Sequence, residues 1–277
     1  MAAANTNKNE QVYNIREDEQ LLSRVALVVC VLTRRELYIA GLSITKELLT
    51  IHYYAYNANK PVWETGFFEQ LFANEPLLLV REKVKGIFIA SDRELIVPDE
   101  LYNEAEAIRW LHRLHFIEQN DVIRSHPLEN DKATYMLAVP LNIAELIKIN
   151  FKKAAVLPLP AYHFGERPAQ SLHLQLCFGN GQVAVTLHNY SQLLWHRYIE
   201  YTSAEDVAFA IRAHCRENYI DPAKLTITCN ALSAAEYDVI NELSAYFQVV
   251  KAGNGLTIHA RWDPAITLAN QLLECVS

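Results

Sequence analysis

Two stretches of the chain show the same succession of apolar, β-branched runs and short polar breaks. In residues 172–201, three such runs are separated by the Gly-Asn-Gly run at 179–181 and the Asn-Tyr-Ser run at 189–191. Both breaks are tight-turn signals, because Gly and Asn tolerate positive φ. Residues 25–54 show a similar pattern. The sequence therefore predicts two three-stranded antiparallel meanders, which indicates a chain with two similar halves.

Helix-like and strand-like segments alternate after each meander. In the first half, apolar residues three and four positions apart predict helices that open near Pro61, Asp99 and Pro140. In the second half, Ser203 followed by Asp206 is a capping-box signature. The remaining predictions are helices at 203–218, 233–247 and 263–275, strands at 84–91, 94–98, 134–140, 152–160, 224–230 and 247–252, and a polar loop at 120–132. Each half thus runs as three antiparallel strands, then helix, strand, helix, strand.

The length of 277 residues suits either one large domain or two smaller ones. Pro and Gly punctuate the segment 158–170, and we expect the boundary between the halves there. The predicted first half is residues 21–160, and the predicted second half is residues 161–277. Residues 1–20 are mostly polar, and we expect them to form a flexible tail.

Composition excludes several classes of function. The net charge is −7 and no basic run is present, so binding to nucleic acid or to an anionic membrane surface is not expected. No apolar segment is long enough to span a membrane. The five cysteines lie far apart and form no C-x-x-C pair, which supports neither a zinc site nor a disulfide framework. A reduced, cytoplasmic protein is expected.

Several short runs match one bacterial family in order and spacing across residues 24–275. They are VPDELY at 97–102, AVP at 138–140, YTSAEDVAFAI at 201–211, EYDVINELSAYFQVV at 236–250 and LANQLLECV at 268–276. In these runs the chain resembles an uncharacterised family, a domain of unknown function assigned an actin-like ATPase fold. The resemblance implies an α/β protein with a duplicated ribonuclease H-like fold, in which two βββαβαβ halves carry mixed sheets. It implies no established activity.

In active members of the actin, sugar kinase and Hsp70 superfamily, the first hairpin of each half wraps the nucleotide phosphates with an Asp-x-Gly turn. Gly lets backbone N–H groups approach phosphate oxygens, and Asp positions Mg²⁺ or the attacking water. Here the first turn reads VLTRRELY, without Asp or Gly, and the second reads CFGNGQVA, without an acid. Gly179, Asn180 and Gly181 are thus either a remnant phosphate loop or, as we favour, an ordinary hairpin turn. Arg34 in the first turn could attract an anion.

Other chemical candidates lack partners in the sequence. The Gly-Gly pair that contacts adenosine in the superfamily is replaced by the Cys-Asn-Ala run at 229–231. His112 and His115 have the spacing of two metal ligands on one helix, but no third ligand is identifiable. The pair His188 and His196 and the acids Asp92, Glu200 and Asp206 are further candidates without a supporting constellation. No catalytic residue and no metal site are predicted.

The sequence supports two hypotheses of function. The first is a non-catalytic actin-fold module with a degenerate nucleotide site and no cofactor, which has a protein-interaction or scaffolding role through an unknown protein partner or self-association. Tyr54, Tyr56 and Trp63 belong to a dense aromatic region that serves either core packing or such an interface. The alternative is a divergent phosphotransferase or ATPase of the superfamily, which would bind ATP and Mg²⁺. A small ligand other than a nucleotide is a third possibility.

Overall fold

The computed structural model describes residues 8–15, 20–56, 63–128, 131–161, 172–190, 192–252 and 260–276. The chain divides into two compact units. Unit 1 comprises Met1–Ala161 together with Leu272–Ser277, and unit 2 comprises Tyr162–Gln271. No helix within the described ranges is both long enough and apolar enough to cross a membrane.

Unit 1 contains nine strands and five α-helices among its described residues. In chain order they are β1 (Lys8–Asn14), α1 (Leu21–Arg24), β2 (Leu27–Leu32), β3 (Glu36–Leu42), β4 (Leu48–Tyr56), α2 (Thr65–Asn74), α3 (Pro76–Leu79), β5 (Val84–Ile89), β6 (Glu94–Pro98), α4 (Glu104–Leu114), β7 (Asp121–Leu128), β8 (Ala133–Pro140), α5 (Leu141–Asn150) and β9 (Ala155–Pro158). A short 3₁₀ helix spans Arg81–Lys83. The predicted helix opening at Pro61 lies outside the described residues, and α2 begins at Thr65.

The main sheet of unit 1 has six strands in the order β1-β4-β3-β2-β5-β9. The strands β2, β3 and β4 form the predicted antiparallel meander, and β5 and β9 continue the sheet in parallel. Because the meander strands are apolar at successive positions, almost every residue in them is buried. The predicted meander is confirmed.

The strand β1 corrects the prediction that residues 1–20 form a flexible tail. Lys8–Asn14 pair antiparallel with β4 along its whole length. Tyr13 is buried, and the Thr50 hydroxyl donates to the Tyr13 carbonyl at 2.9 Å. An edge strand is held largely by backbone hydrogen bonds, so a mostly polar sequence can form it.

A second, three-stranded antiparallel sheet in the order β6-β8-β7 is inserted between β5 and α5. The prediction of a loop at residues 120–132 is wrong, because Asp121–Leu128 form β7. Pro127 is tolerated since β7 is an edge strand of this sheet. Asp99 does not cap α4; Asn103 does, and its side-chain oxygen accepts from the N–H groups of Ala105 and Glu106.

Where the structure describes it, unit 2 follows the predicted order without an insertion. Its elements are β10 (His173–Gly179), β11 (Gln182–Asn189), β12 (Gln192–Glu200), α6 (Ala204–Glu217), β13 (Thr226–Ala231), α7 (Tyr237–Glu242), β14 (Val249–Ala252) and α8 (Asp263–Glu274), whose last turn is counted with unit 1. The strand order β12-β11-β10-β13-β14 combines an antiparallel meander with two parallel strands. The predicted capping box of Ser203 and Asp206 is confirmed. The predicted single helix at 233–247 is broken into α7 and two flanking 3₁₀ turns.

Candidate phosphate-binding turns

The first hairpin turn, between β2 and β3, carries a cation that is paired within unit 1. Arg34 Nη1 donates to Asp92 Oδ2 at 2.9 Å. Asp92 follows β5, which is the parallel neighbour of β2, so the ion pair joins the turn to the carboxyl end of the next strand. An anion that approached Arg34 would have to compete with the Asp92 carboxylate.

A buried acid lies beside the same turn. Glu36, the first residue of β3, accepts the Thr33 hydroxyl at 2.9 Å on one carboxylate oxygen and the Tyr53 hydroxyl at 2.6 Å on the other. Two accepted hydrogen bonds fit an ionised carboxylate. An ionised carboxylate at this position would repel a phosphate group at this turn.

The second turn, between β10 and β11, keeps its glycines but uses its carbonyl groups within unit 2. Gly179 and Gln182 are the last paired residues of the hairpin, which leaves Asn180 and Gly181 at the tip. Gly181 has φ of +72°, a conformation that Gly adopts most readily. The Tyr201 hydroxyl donates to the Gly179 carbonyl at 2.8 Å, and the Tyr201 N–H donates to the Gly181 carbonyl at 3.1 Å. The turn is therefore packed against Tyr201.

A buried acid also accompanies the second turn. The Tyr201 hydroxyl contacts the carboxylate of Glu236, which is buried in the 3₁₀ turn before α7. The Phe178 and Tyr201 rings meet edge to face with centroids 5.5 Å apart. Each hairpin turn thus has a tyrosine hydroxyl and a buried carboxylate in its own unit, and sequence reasoning identified neither Glu36 nor Glu236.

Residues 229–231, where the superfamily would be expected to carry a Gly-Gly pair, are occupied by larger side chains. The Asn230 amide donates to Gln271 Oε1 at 2.7 Å at the end of β13. Cys229 and Ala231 on either side are fully buried, and burial raises the pKa of the Cys229 thiol. A Gly-Gly pair would leave open backbone at this position, whereas this chain fills it with packed side chains.

The remaining sequence candidates have separate structural partners. His115 Nε2 contacts the Glu94 carbonyl at 2.8 Å, and His196 Nδ1 contacts the Thr186 hydroxyl at 2.8 Å. Asp206 serves the capping box of α6, where hydrogen bonds from Thr202 lower the pKa of its carboxyl group. Within the described ranges, no group of three or more His, Cys, Asp or Glu residues could hold a metal ion.

Burial removes one of the three interface candidates from the surface. Tyr54 is 3% exposed, which corrects the prediction that it contributes to an interface. Its hydroxyl donates to Glu75, and burial together with this hydrogen bond raises the pKa of Tyr54. Glu75 also accepts the Leu77 N–H at 3.1 Å and lies 2.9 Å from His52 Nδ1. Burial acts to raise the pKa of Glu75, but the close approach of His52 and the hydrogen bond from Tyr54 outweigh it and lower that pKa.

Tyr56 and Trp63 are half-buried at the margin of the aromatic cluster in unit 1. The Tyr56 ring lies 5.5 Å from Phe67, and the Trp63 ring lies 5.8 Å from Phe68. Each residue therefore combines core packing with an accessible part. Their role in an interface stays a prediction.

Two solved structures share the fold of this chain. A Bacteroides thetaiotaomicron VPI-5482 protein with an actin-like ATPase fold and unknown function is 14% identical, with a TM-score of 0.68 over 91% of this chain and 99% of that chain. A chain of the PilM–PilN type IV pilus biogenesis complex is 12% identical, with a TM-score of 0.58 over 92% of this chain and 99% of that chain. The fold is therefore that of the actin-like ATPases, which confirms the predicted fold class.

The family follows from the sequence itself. Residues 32–250 match the family described as "Protein of unknown function (DUF3822)", so the chain belongs to that family. This confirms the resemblance to an uncharacterised family with an actin-like fold. No curated protein gives a significant match.

Proposed function

We propose that this protein is a non-catalytic actin-fold module with a degenerate nucleotide site, which acts by binding a protein partner or by self-association. The ion pair between Arg34 and Asp92 carries the proposal. An acid near the first turn would be expected to position Mg²⁺ or water in an active enzyme, and here Asp92 instead neutralises an arginine. The packing of Tyr201 on the second turn adds support.

The residues at the turns do not fit a complex of ATP with Mg²⁺. Mg²⁺ takes oxygen ligands, usually from one or two carboxylates together with the phosphates. The turn residues 33–35 and 179–181 include no acid. The two nearby carboxylates, Glu36 and Glu236, are buried against tyrosine hydroxyl groups.

A role in protein interaction is supported by what such a fold can do without nucleotide chemistry. The PilM–PilN structure is a protein complex that includes a chain of this fold. In the present chain, the half-exposed rings of Tyr56 and Trp63 are of the residue types that protein interfaces use. We therefore place a candidate interface at the end of β4 and the start of α2.

Nucleotide titration of the full chain tests the proposal. We expect no saturable heat when ATP or ADP is titrated with Mg²⁺ in a calorimeter, and no thermal shift. Saturable binding that is lost in Gly181→Val but kept in Arg109→Gln would overturn the non-catalytic assignment. Arg109 is a suitable control because it lies exposed on α4, and among the described residues its ion pair is with Glu106 of the same helix.

The interface is tested on the same preparation. Sedimentation velocity over a range of concentrations measures self-association. We expect Trp63→Ala to weaken any association that the wild-type chain shows while leaving its thermal midpoint little changed. An association that is unaffected by both Tyr56→Ala and Trp63→Ala would remove these two residues from the proposed interface.

A further inference from the structure

A small cavity lies in unit 1 between the inserted sheet and the main sheet. Its volume is about 190 Å³. Aliphatic side chains of β5, β8 and β9 form one part of the wall, and Arg124, Ser125 and His126 of β7 form the other. The cavity is smaller than a typical site for a drug-sized ligand, so it suits a small organic group.

The register of β7 explains why basic side chains reach this cavity. Arg124 pairs with Leu137 of β8, and His126 pairs with Tyr135 two positions along. Side chains two residues apart lie on the same face of a strand. The other face of β7 carries Ile123, which packs on the apolar cluster beneath α4. Arg124 and His126 therefore share the face that is turned away from α4.

The Nε–H group of Arg124 is a buried donor that lacks a partner among the described residues. Its Nε atom is buried and makes no hydrogen bond. By contrast, Arg34 pairs with Asp92 and Arg93 pairs with Asp121 in the same unit. Glu94 lies on the same sheet face, across Leu137, but its carboxylate accepts the Tyr135 hydroxyl. A buried donor without a hydrogen-bond partner destabilises the folded state, so an acceptor supplied by a ligand would be favourable here.

We propose that this cavity binds a carboxylate group, with Arg124 as its cation, His126 as a polar neighbour, and the aliphatic wall around the attached carbon chain. The planar guanidinium matches the two oxygen atoms of a carboxylate. Burial lowers the pKa of His126, so the imidazole is neutral and Arg124 supplies a single positive charge. One cation balances a monocarboxylate, whereas a phosphate would bring extra negative charge into a half-apolar site.

The site goes beyond the proposed function, since its lining includes no residue of either hairpin turn and it needs no nucleotide. A carboxylate of this size could come from a free short-chain acid or from an acidic side chain on a peptide. Butyrate and an end-blocked peptide with a single glutamate represent the two sources. Binding of inorganic phosphate tests whether the site prefers a ligand with one negative charge.

The Arg124 Nε–H signal in an NMR spectrum of the full-length protein reports on the site directly. We expect butyrate, added at constant ionic strength, to shift this signal saturably with a dissociation constant of about 1 mM, as suits a ligand of a few atoms. Arg124→Gln should weaken butyrate binding by about tenfold or more, measured on the amide signals of β7 and β9. Arg109→Gln, which removes an exposed arginine, should bind butyrate as the wild type does.

Val156→Phe tests whether butyrate binding needs the cavity itself or only the guanidinium of Arg124. Val156 is half-buried in the aliphatic wall, so a phenyl ring there would fill the cavity while Arg124 stays in place. We expect this variant to lose butyrate binding and to keep the well-dispersed amide spectrum of a folded protein, with shifts confined to the neighbourhood of residue 156. Tighter binding of the glutamate peptide than of butyrate would support the proposal with a peptide as the source, and the reverse order would support it with a free acid.

Two results would overturn the proposal. One is the absence of a saturable shift of Arg124 Nε–H with both butyrate and the peptide. The other is tighter binding of inorganic phosphate than of either carboxylate. Neither result depends on nucleotide binding, so failure here is distinguishable from failure of the proposed function.

Discussion

The two units build the same meander and parallel strands, yet they hold their hairpin turns in different ways. In unit 1, the turn is fixed by an ion pair between side chains, Arg34 and Asp92. In unit 2, Tyr201 binds two carbonyl groups of a glycine turn. In both units, the groups that hold the turn belong to the same unit as the turn, but the interactions are chemically unrelated. The packing of each turn is therefore built locally and does not need a common ligand.

The outer edges of the two main sheets also differ. In unit 1, β1 covers β4, and β4 is buried at every position except its last. In unit 2, β12 pairs with β11 and with no other described strand, and each of its residues is half-buried or exposed. Burial of β4 allows it to carry a polar network that would be screened by water on β12.

The largest effect is expected from Glu75→Ala in unit 1. The Glu75 side chain is 1% exposed and serves Tyr54, His52 and the Leu77 N–H. Its removal leaves buried donors without an acceptor, so we expect the free energy of unfolding to fall by about 2–4 kcal/mol. Urea denaturation measures the loss, and hydrogen exchange should place it in the peptides of unit 1.

Glu69→Ala is the matched control for that change. Glu69 is exposed on α2, and we expect its replacement to alter stability by less than about 0.5 kcal/mol. Equal losses in the two variants, or loss of protection spread evenly over both units, would contradict the view that Glu75 organises unit 1.

Acid should weaken the same network, with a smaller effect than the deletion. The pKa of Glu75 is lowered below its ordinary value of 4.5 in the folded state, so the unfolded chain takes up the proton first as pH falls. The stabilisation is complete above that ordinary value and is lost as pH falls through the folded value. We expect the difference in the free energy of unfolding between the wild type and Glu75→Gln to shrink as the pH falls from about 7 to about 3. A constant difference would show that the charge of Glu75 is unimportant.

Most of the fold could be predicted from the sequence because the central strands are apolar throughout. The two missed strands, β1 and β7, are edge strands that need few buried side chains. Asp99 and Asn103 are both good helix caps, and the sequence alone favoured the wrong one. In the structure the Asp99 carboxylate instead accepts the Thr134 hydroxyl of β8.

The candidate sites were harder to predict than the fold. The sequence identified Arg34 and the glycine turn, but it did not reveal their partners. Asp92 is 58 positions from Arg34, and Tyr201 is 22 positions from Gly179. Such pairs form only when sheet register brings them together. The sequence pattern around each residue does not indicate its distant partner.

Tyr201→Phe tests the second turn, and its effect should be smaller than that of Glu75→Ala. The change removes one hydroxyl, which serves the Gly179 carbonyl and the buried Glu236. We expect unfolding to become easier by about 1–2 kcal/mol, with reduced hydrogen-exchange protection in unit 2 only. Tyr219→Phe is the control, because Tyr219 is 99% exposed and should show no change. A loss that appears in unit 1 would contradict the local character of the turn.

The smallest effect is expected at the helices that follow the two meanders. In unit 2, Ser203 caps α6 through a capping box, whereas in unit 1 the residue before α2, Glu64, makes no side-chain capping bond. Ser203→Ala should therefore cost about 1 kcal/mol, and Glu64→Ala should cost nothing measurable. Glu64 has the extended backbone that a cap requires, so Glu64→Ser should stabilise α2 by about 0.5 kcal/mol. If Glu64→Ala proved as damaging as Ser203→Ala under thermal denaturation, the two helix starts would have to be regarded as equivalent.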